Sequence, residues 1–329
     1  MRIGFCCKFM DEKGGSPEEM NSKTTTATHF AKLSKREQDK KLRFILDHNL
    51  GYLENILKYL SNEEEILRMF RISSDIFPLY SHPVAINYWK SKEYKKIIKD
   101  KLSQLGNFAR EKEIRLSFHP GQFTVLNSET DRVVKNSIEE LEYHTDIARW
   151  LGYGKKKNDH GFAINIHTGS KAGGIKNFKK NFKKLSQEAK NLLTVENDEF
   201  SFGIDETLYL AEDVALVLDI HHHWIKTGEY IQADDPRMDI IIDSWKNSRP
   251  KIHYSHSPRN LFDKESKNLL ILDNLLSEGY KKGSLRKHSD TYWNKKANQW
   301  ALSFLEKVDI QCEAKHKNLA SKKLLKEYK

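Results

Sequence analysis

Eight short apolar runs, at residues 2–6, 69–73, 114–118, 162–167, 192–196, 215–220, 251–255 and 308–313, constrain this chain more than any other feature. Each has the length of a strand, and most are rich in Ile, Val, Leu or Phe, as parallel strands covered on both faces must be. Helical spacings lie between them, such as Leu50, Leu53, Leu57 and Leu60, and Ile138, Leu141, Ile147 and Trp150. Apolar residues three or four apart form one face of a helix. Eight strand-and-helix units in one chain predict an α/β fold, a (β/α)8 TIM-type barrel, because an open doubly wound sheet seldom needs so many. A single domain over residues 1–329 is expected, with residues 314–329 as a basic C-terminal tail. Two additions stand out, a basic loop at Lys155-Lys156-Lys157-Asn158 and a long insertion after the seventh strand, residues 258 to about 283.

Composition narrows the setting. Only 7 Pro and 16 Gly exclude low complexity, and 16 Phe, 13 Tyr and 6 Trp spread along the chain exclude disorder. Three cysteines, Cys6, Cys7 and Cys312, without a CxxC spacing, make neither a disulfide framework nor a zinc finger, so a reducing compartment is expected. The N-terminus turns polar at Asp11 and no apolar run reaches the roughly 18 residues of a membrane span. A soluble cytoplasmic protein with no membrane partner follows as the expectation. Lys and Arg number 56 against 46 Asp and Glu, a net charge of +10 that suits a polyanionic partner but also an ordinary solvated surface.

In such a barrel, reactive groups hang from the C-terminal ends of the strands. Six consecutive runs here end in Ser117-Phe118-His119-Pro120-Gly121-Gln122-Phe123, Asn165-Ile166-His167, Glu196-Asn197-Asp198, Asp219-Ile220-His221-His222-His223, Lys251-Ile252-His253 and Cys312-Glu313. Any one residue has a plain reading: His119 as a hydrogen-bonded polar group, Glu313 as a solvated carboxylate, the three histidines as a solvated turn. Together they aim imidazoles and carboxylates at one mouth, and that mixture suits Zn²⁺, Mn²⁺ or related divalent ions. The mouth offers His119, His167, Glu196, Asp219, His222, His253, His288, Asp290 and Glu313, more donors than one ion uses. Two or three ions bridged by Glu196 would use them all, and paired metals are suited to phosphodiester hydrolysis.

In these motifs, and in Phe70-Arg71-Ile72-Ser73-Ser74-Asp75-Ile76-Phe77-Pro78, Ser81-His82-Pro83, His288-Ser289-Asp290 and Glu313-Ala314-Lys315, the chain resembles the UV damage endonuclease family. That family shares its barrel superfamily with endonuclease IV and the xylose isomerases. The resemblance implies a metal centre, usually described with manganese, made by His119, His167, Glu196, Asp219, His222, His253, His288 and Glu313, with Glu196 bridging and Zn²⁺ or Mg²⁺ as alternatives. It implies catalytic roles for Glu196, Lys251 and His253, with Lys251 matching a lysine that is carboxylated in the family. Gln122 and Phe123 match a dipeptide that wedges into the duplex opposite the lesion, though the family often has Tyr at the second place. Phe5, Lys8, His82 and Asp290 complete the expected substrate contacts. Where relatives often read Gly-Tyr and then a stretch ending in Asn, this chain has Gly4-Phe5-Cys6-Cys7-Lys8-Phe9.

The implied activity is nicking of double-stranded DNA 5′ to UV photoproducts and other helix-distorting lesions, by a monomer associated with the nucleoid. Lys23, Lys155 to Lys157, the lysines between 176 and 184, and six lysines after residue 314 are candidate phosphate contacts. Phe178 and Phe182 read better as the packed side of an amphipathic helix than as base-stacking groups. A metal-dependent sugar isomerase on the same barrel and a non-cutting damaged-DNA binding protein are the alternatives. The His-Pro-Gly-Gln-Phe wedge counts against the first and the full ligand set against the second.

Overall fold

In the computed structural model, which describes residues 1–246, 248–263 and 266–329, the eight runs form eight strands. They are β1 Ile3–Cys6, β2 Met69–Arg71, β3 Arg115–Phe118, β4 Ala163–His167, β5 Leu193–Glu196, β6 Ala215–Asp219, β7 Lys251–Tyr254 and β8 Asp309–Cys312. Each pairs in parallel with the next, and β8 returns to β1 with Ile310 opposite Ile3, so the sheet closes into a barrel. The strands are one or two residues shorter than the runs suggested. At β6 the cause is visible: the Asp219 carboxylate accepts hydrogen bonds from the backbone N–H of His221 and His222, so Ile220 opens the helix Ile220–Thr227. His221, His222 and His223 are therefore helical and not a solvated turn.

Side chains alternate between two environments, as the pleat requires. Ile164, Ile166, Leu216, Leu218, Ile252 and Ile310 point outward and join one core with residues of the surrounding helices, among them Leu42, Leu53, Leu102, Leu141 and Ile147. The lumen is polar instead: Arg115, Asn165, Thr194, Glu196, Asp219, Lys251, His253, Asp309 and Gln311 are all buried. Contacts between strands that are not neighbours fix their direction. Arg115 of β3 meets Asp309 of β8, and Glu196 of β5 meets His253 of β7, which is only feasible across the lumen.

One expectation about the additions changes, and the other two additions take definite places. Residues 314–329 are not a tail: Lys317–Tyr328 is an outer helix that buries Ala320, Leu324 and Leu325 against the barrel. Three of its region's lysines, Lys315, Lys322 and Lys329, are held by Asp290, Glu63 and Glu64. The loop at Lys155 to Lys157 precedes β4, and a connection into a strand necessarily lies at the N-terminal end of the barrel, opposite the mouth. The insertion after β7 packs Leu270, Leu272, Leu275 and Leu285 against Trp224 and Trp293 as a small second cluster; its residues 264 and 265 lie outside the described residues. Phe178 is fully buried and Phe182 nearly so within the helix Gly174–Phe182, which is the packing reading. Among the described residues no helix is long and apolar enough to cross a membrane.

Candidate metal centre

Glu196 ends β5 at the middle of the mouth, 1% exposed. Its Oε1 lies 2.9 Å from His119 Nε2 and 3.2 Å from His167 Nε2, and its Oε2 lies 2.6 Å from His253 Nδ1. Asn165, two residues before His167 on the inward side of β4, donates its side-chain N–H to Oε2 at 2.8 Å and accepts from the Thr194 hydroxyl at 2.8 Å. That chain of bonds fixes the carboxylate plane. Further round the rim, Asp219 Oδ2 stands 3.6 Å from His222 Nδ1, and Glu313 Oε1 stands 3.4 Å from His253 Nδ1. His288 approaches Glu313 Oε2 at 3.9 Å while its Nδ1 meets the Glu313 carbonyl oxygen at 2.9 Å.

These side chains make three clusters: His119 with Glu196 and His253, His167 with Glu196 and His222, and Asp219 with His253 and Glu313. Within each, the ligand atoms lie within 4.8 Å of one another. Glu196 and His253 each belong to two clusters, so seven of the eight expected ligands converge and His288 stands beside them. Three buried carboxylates so close together are costly unless a cation offsets them. The acid–base state of Glu196, His253, His167 and His288 suits that role. Burial raises the Glu196 carboxyl, but His253, His167 and His119 outweigh it and hold the group well below the usual carboxylate range. Burial pushes Asp219 up to about 7. Burial likewise pushes His253 down to about 4 and lowers His167 and His288, leaving neutral imidazoles with lone pairs to give. His222 moves the other way, to about 9, because Asp219, Glu196 and Glu199 overcome its burial. Asp219 Oδ2 and His253 Nε2 are buried without a hydrogen-bond partner. Orphaned donors of this kind, in a set mixing imidazole and carboxylate, fit divalent metal ions.

Lys251 lies one layer deeper, 1% exposed, its Nζ without a partner. Burial, reinforced by Arg115 and Arg71, lowers its ammonium to about 7. Around the rim, Phe123 is 83% exposed on the loop after β3, and Gln122 beside it is exposed. A cavity of about 1070 Å³ runs from His119 past Phe123 to Tyr80 and the exposed His82. Lys8 is exposed as well. Two expected contacts fall elsewhere. Phe5 is 2% exposed, wedged between Phe70 and Phe9 at ring separations of 5.0 and 6.4 Å, because its strand position faces the helices. Asp290 turns outward to Lys315 at 3.1 Å and joins none of the clusters.

Three participants were not singled out from sequence. Arg71 pairs with the Glu313 carboxylate across the lumen, and the signal was a lone arginine in the apolar β2 run. Asn165 could have been found by period two from His167. Glu199, held by Arg286 at 2.7 Å and 3.7 Å from His222 Nε2, sits in a loop with no pattern to mark it.

The closed parallel barrel that carries this mouth of imidazoles and carboxylates is a fold found in solved structures. The crystal structure of endonuclease IV from Thermus thermophilus shares the fold, with a TM-score of 0.53 at 15% identity over 99% of this chain and 97% of that one. The crystal structure of SacUVDE is nearer, with a TM-score of 0.74 at 29% identity over 99% of this chain and 97% of that one. The chain belongs to the UV-endonuclease UvdE family, whose model matches residues 1–329. It is similar to the UV DNA damage endonuclease of Bacillus cereus (strain G9842), 33% identical over 268 residues, 79% of this chain and 78% of that one. The UV DNA damage endonuclease of Halalkalibacterium halodurans is 32% identical over 265 residues, 78% of this chain and 77% of the relative. This is a DNA-cleaving hydrolase.

Proposed function

We propose that this enzyme nicks double-stranded DNA on the 5′ side of UV photoproducts and other helix-distorting lesions, in the cytoplasm and as a monomer, with two or three divalent ions, Mn²⁺ foremost. The observation that carries this reading is the sharing of Glu196 and His253 between clusters of ligand atoms, one of which, through His119, lines the same cavity as the exposed Phe123. His119, His167, Glu196, Asp219, His222, His253, His288 and Glu313 would hold the ions. Ions in such a mouth acidify water and neutralise developing charge on phosphate oxygens.

The chain's own groups divide the remaining work. Asn165 and Thr194 hold the Glu196 carboxylate in one orientation, and Arg71 does the same for Glu313. Phe123 offers a ring face and Gln122 an amide to a duplex whose stacking the lesion has already weakened, so selectivity rests on the cost of deforming DNA. Lys8 and His82, both exposed, are assigned to the backbone and the damaged site. Lys251, buried and unpartnered, is a candidate for carboxylation: its neutral amine adds CO₂ and releases one proton, and the carbamate would face Arg71 and Arg115 as an anion. Intact-mass measurement would show the added mass.

An end-labelled duplex with one photoproduct tests the proposal. Metal-stripped protein should leave it intact, and added Mn²⁺ should restore a single cut 5′ to the lesion while the undamaged duplex survives. Undiminished cutting in excess chelator, or equal cutting of both duplexes, would overturn it.

A further inference from the structure

The floor of the barrel, at the N-terminal ends of the strands, opens into a cavity of about 640 Å³ that the endonuclease reading does not use. A volume of that size falls in the range of small-ligand sites. Four guanidinium groups, those of Arg2, Arg110, Arg115 and Arg249, and three ammonium groups, those of Lys156, Lys157 and Lys246, line it against the carboxylates of Glu113 and Asp159.

The two kinds of cation are held differently. The guanidinium groups are built into the floor. Arg115 donates to Asp309 Oδ2 at 2.7 Å and to the Gly161 carbonyl at 2.9 Å. Arg249 donates to Asp309 Oδ1 at 2.8 Å, and Arg110 is tied to the Leu151 carbonyl at 2.6 Å. Asp309 is thus already shared between two arginines, and Arg115 Nη2 is buried with no acceptor at all. The three lysines, by contrast, form no ion pair among the described residues. Lys157 is half-buried all the same, and burial together with neighbouring Lys246 lowers its ammonium. Cations crowded together in this way are ordinarily offset by an anion.

The wall is shaped for close approach. Glu113, His160 and Gly161 of its lining all have positive φ, 54°, 51° and 70°, and Lys246 has 56°. A Cβ at Gly161 would stand 2.8 Å from Arg115 Nε, so only glycine lets this loop close on the arginine. Left-handed backbone at three non-glycine positions around one cavity is strain of the kind that collects at binding sites.

We propose that this floor cavity is a second site, separate from the metal mouth, for a small anion bearing two or more phosphates, gripped by Lys156, Lys157 and Lys246 over the fixed arginine base. One phosphate would leave the three ammonium groups under-used. The ligand is a free oligophosphate or a nucleotide carrying one.

Titration calorimetry on the full-length metal-loaded enzyme tests this, with pyrophosphate, ADP and inorganic phosphate as probes. Pyrophosphate should bind once per chain, at least tenfold tighter than phosphate and undisturbed by saturating lesion-bearing duplex. Lys157→Ala/Lys246→Ala should weaken it at least tenfold at unchanged melting temperature and unchanged nicking, and Lys156→Ala alone should weaken it less. ADP equal to pyrophosphate identifies an oligophosphate, and tighter ADP a nucleotide. Displacement by the duplex, binding unaffected by the double substitution, no saturation in the millimolar range, or a parallel loss of duplex affinity in the lysine variant would each overturn the proposal.

Discussion

The two ends of this barrel bury charge in the same lumen by opposite means. At the floor a single carboxylate, Asp309, is fully engaged: Oδ1 accepts from the Arg2 backbone N–H and from Arg249, and Oδ2 from Arg115, all within 2.8 Å. At the mouth, three carboxylates face imidazoles with Asp219 Oδ2 and His253 Nε2 left without partners. A buried polar network that satisfies its acceptor serves the fold, and one that leaves acceptors empty is held in readiness for a ligand. Yet even the floor leaves cations over where its cavity opens.

Among substitutions, breaking the floor should have the largest effect on stability. Arg115→Ala removes the main partner of Oδ2 and should cost about 3–5 kcal/mol, read as a lower urea midpoint with metal content per folded chain unchanged. The mouth should respond the other way round. Glu196→Gln should lower metal occupancy and nicking together by more than the roughly 100-fold that loss of an outer-shell partner costs, with little change in the urea midpoint. A variant that keeps full metal and normal nicking would remove Glu196 from the centre. A smaller loss is expected above the mouth: Gln122→Ala/Phe123→Ala should reduce preference for damaged duplex by about 1–3 kcal/mol, the worth of one stacked base, and leave affinity for undamaged duplex alone. Last, the comparison should blur in acid. Burial pushes His144 and His256 down to about 4, so each stays neutral when folded but takes up a proton when unfolded below its ordinary value near 6.5. The unfolded chain binds more protons in that window, and stability should fall by about 1.4 kcal/mol per pH unit per histidine as the pH drops from 6.5 toward 4. A flat melting temperature across that range would show the two rings to be charged in the folded protein.

Sequence carried the barrel because the strands are apolar on the side that meets the helices, a pattern local enough to read without tertiary information. Glu196, His253 and His167 were legible for a related reason, since strand ends can be located once the strands are. What failed was whatever depended on the third dimension. The tail at 314–329 hid its packed face, Ala320, Leu324 and Leu325, among six lysines. Phe5 was expected at the substrate from the resemblance alone, and strand parity does not say which side of a barrel wall is outside. Lys155 to Lys157 were recognised as a basic loop before the fourth strand, yet they were counted among the phosphate contacts because charge does not reveal which end of the barrel meets a ligand. Arg71 and Glu199 act through partners far away in the chain, Glu313 in one case and Arg286 in the other, and no spacing announces such pairs.

Asp219 has one oxygen committed to the backbone N–H groups of His221 and His222 and the other free. The same carboxylate thus closes the first turn of Ile220–Thr227 and offers a lone pair to the mouth, so the two events share one rotamer. Filling the mouth holds that rotamer in place, and emptying it should let the turn fray more often. Amide hydrogen exchange at residues 221–224 would then report occupancy from outside the centre, slow when it is filled and faster when it is stripped, without any DNA being cut.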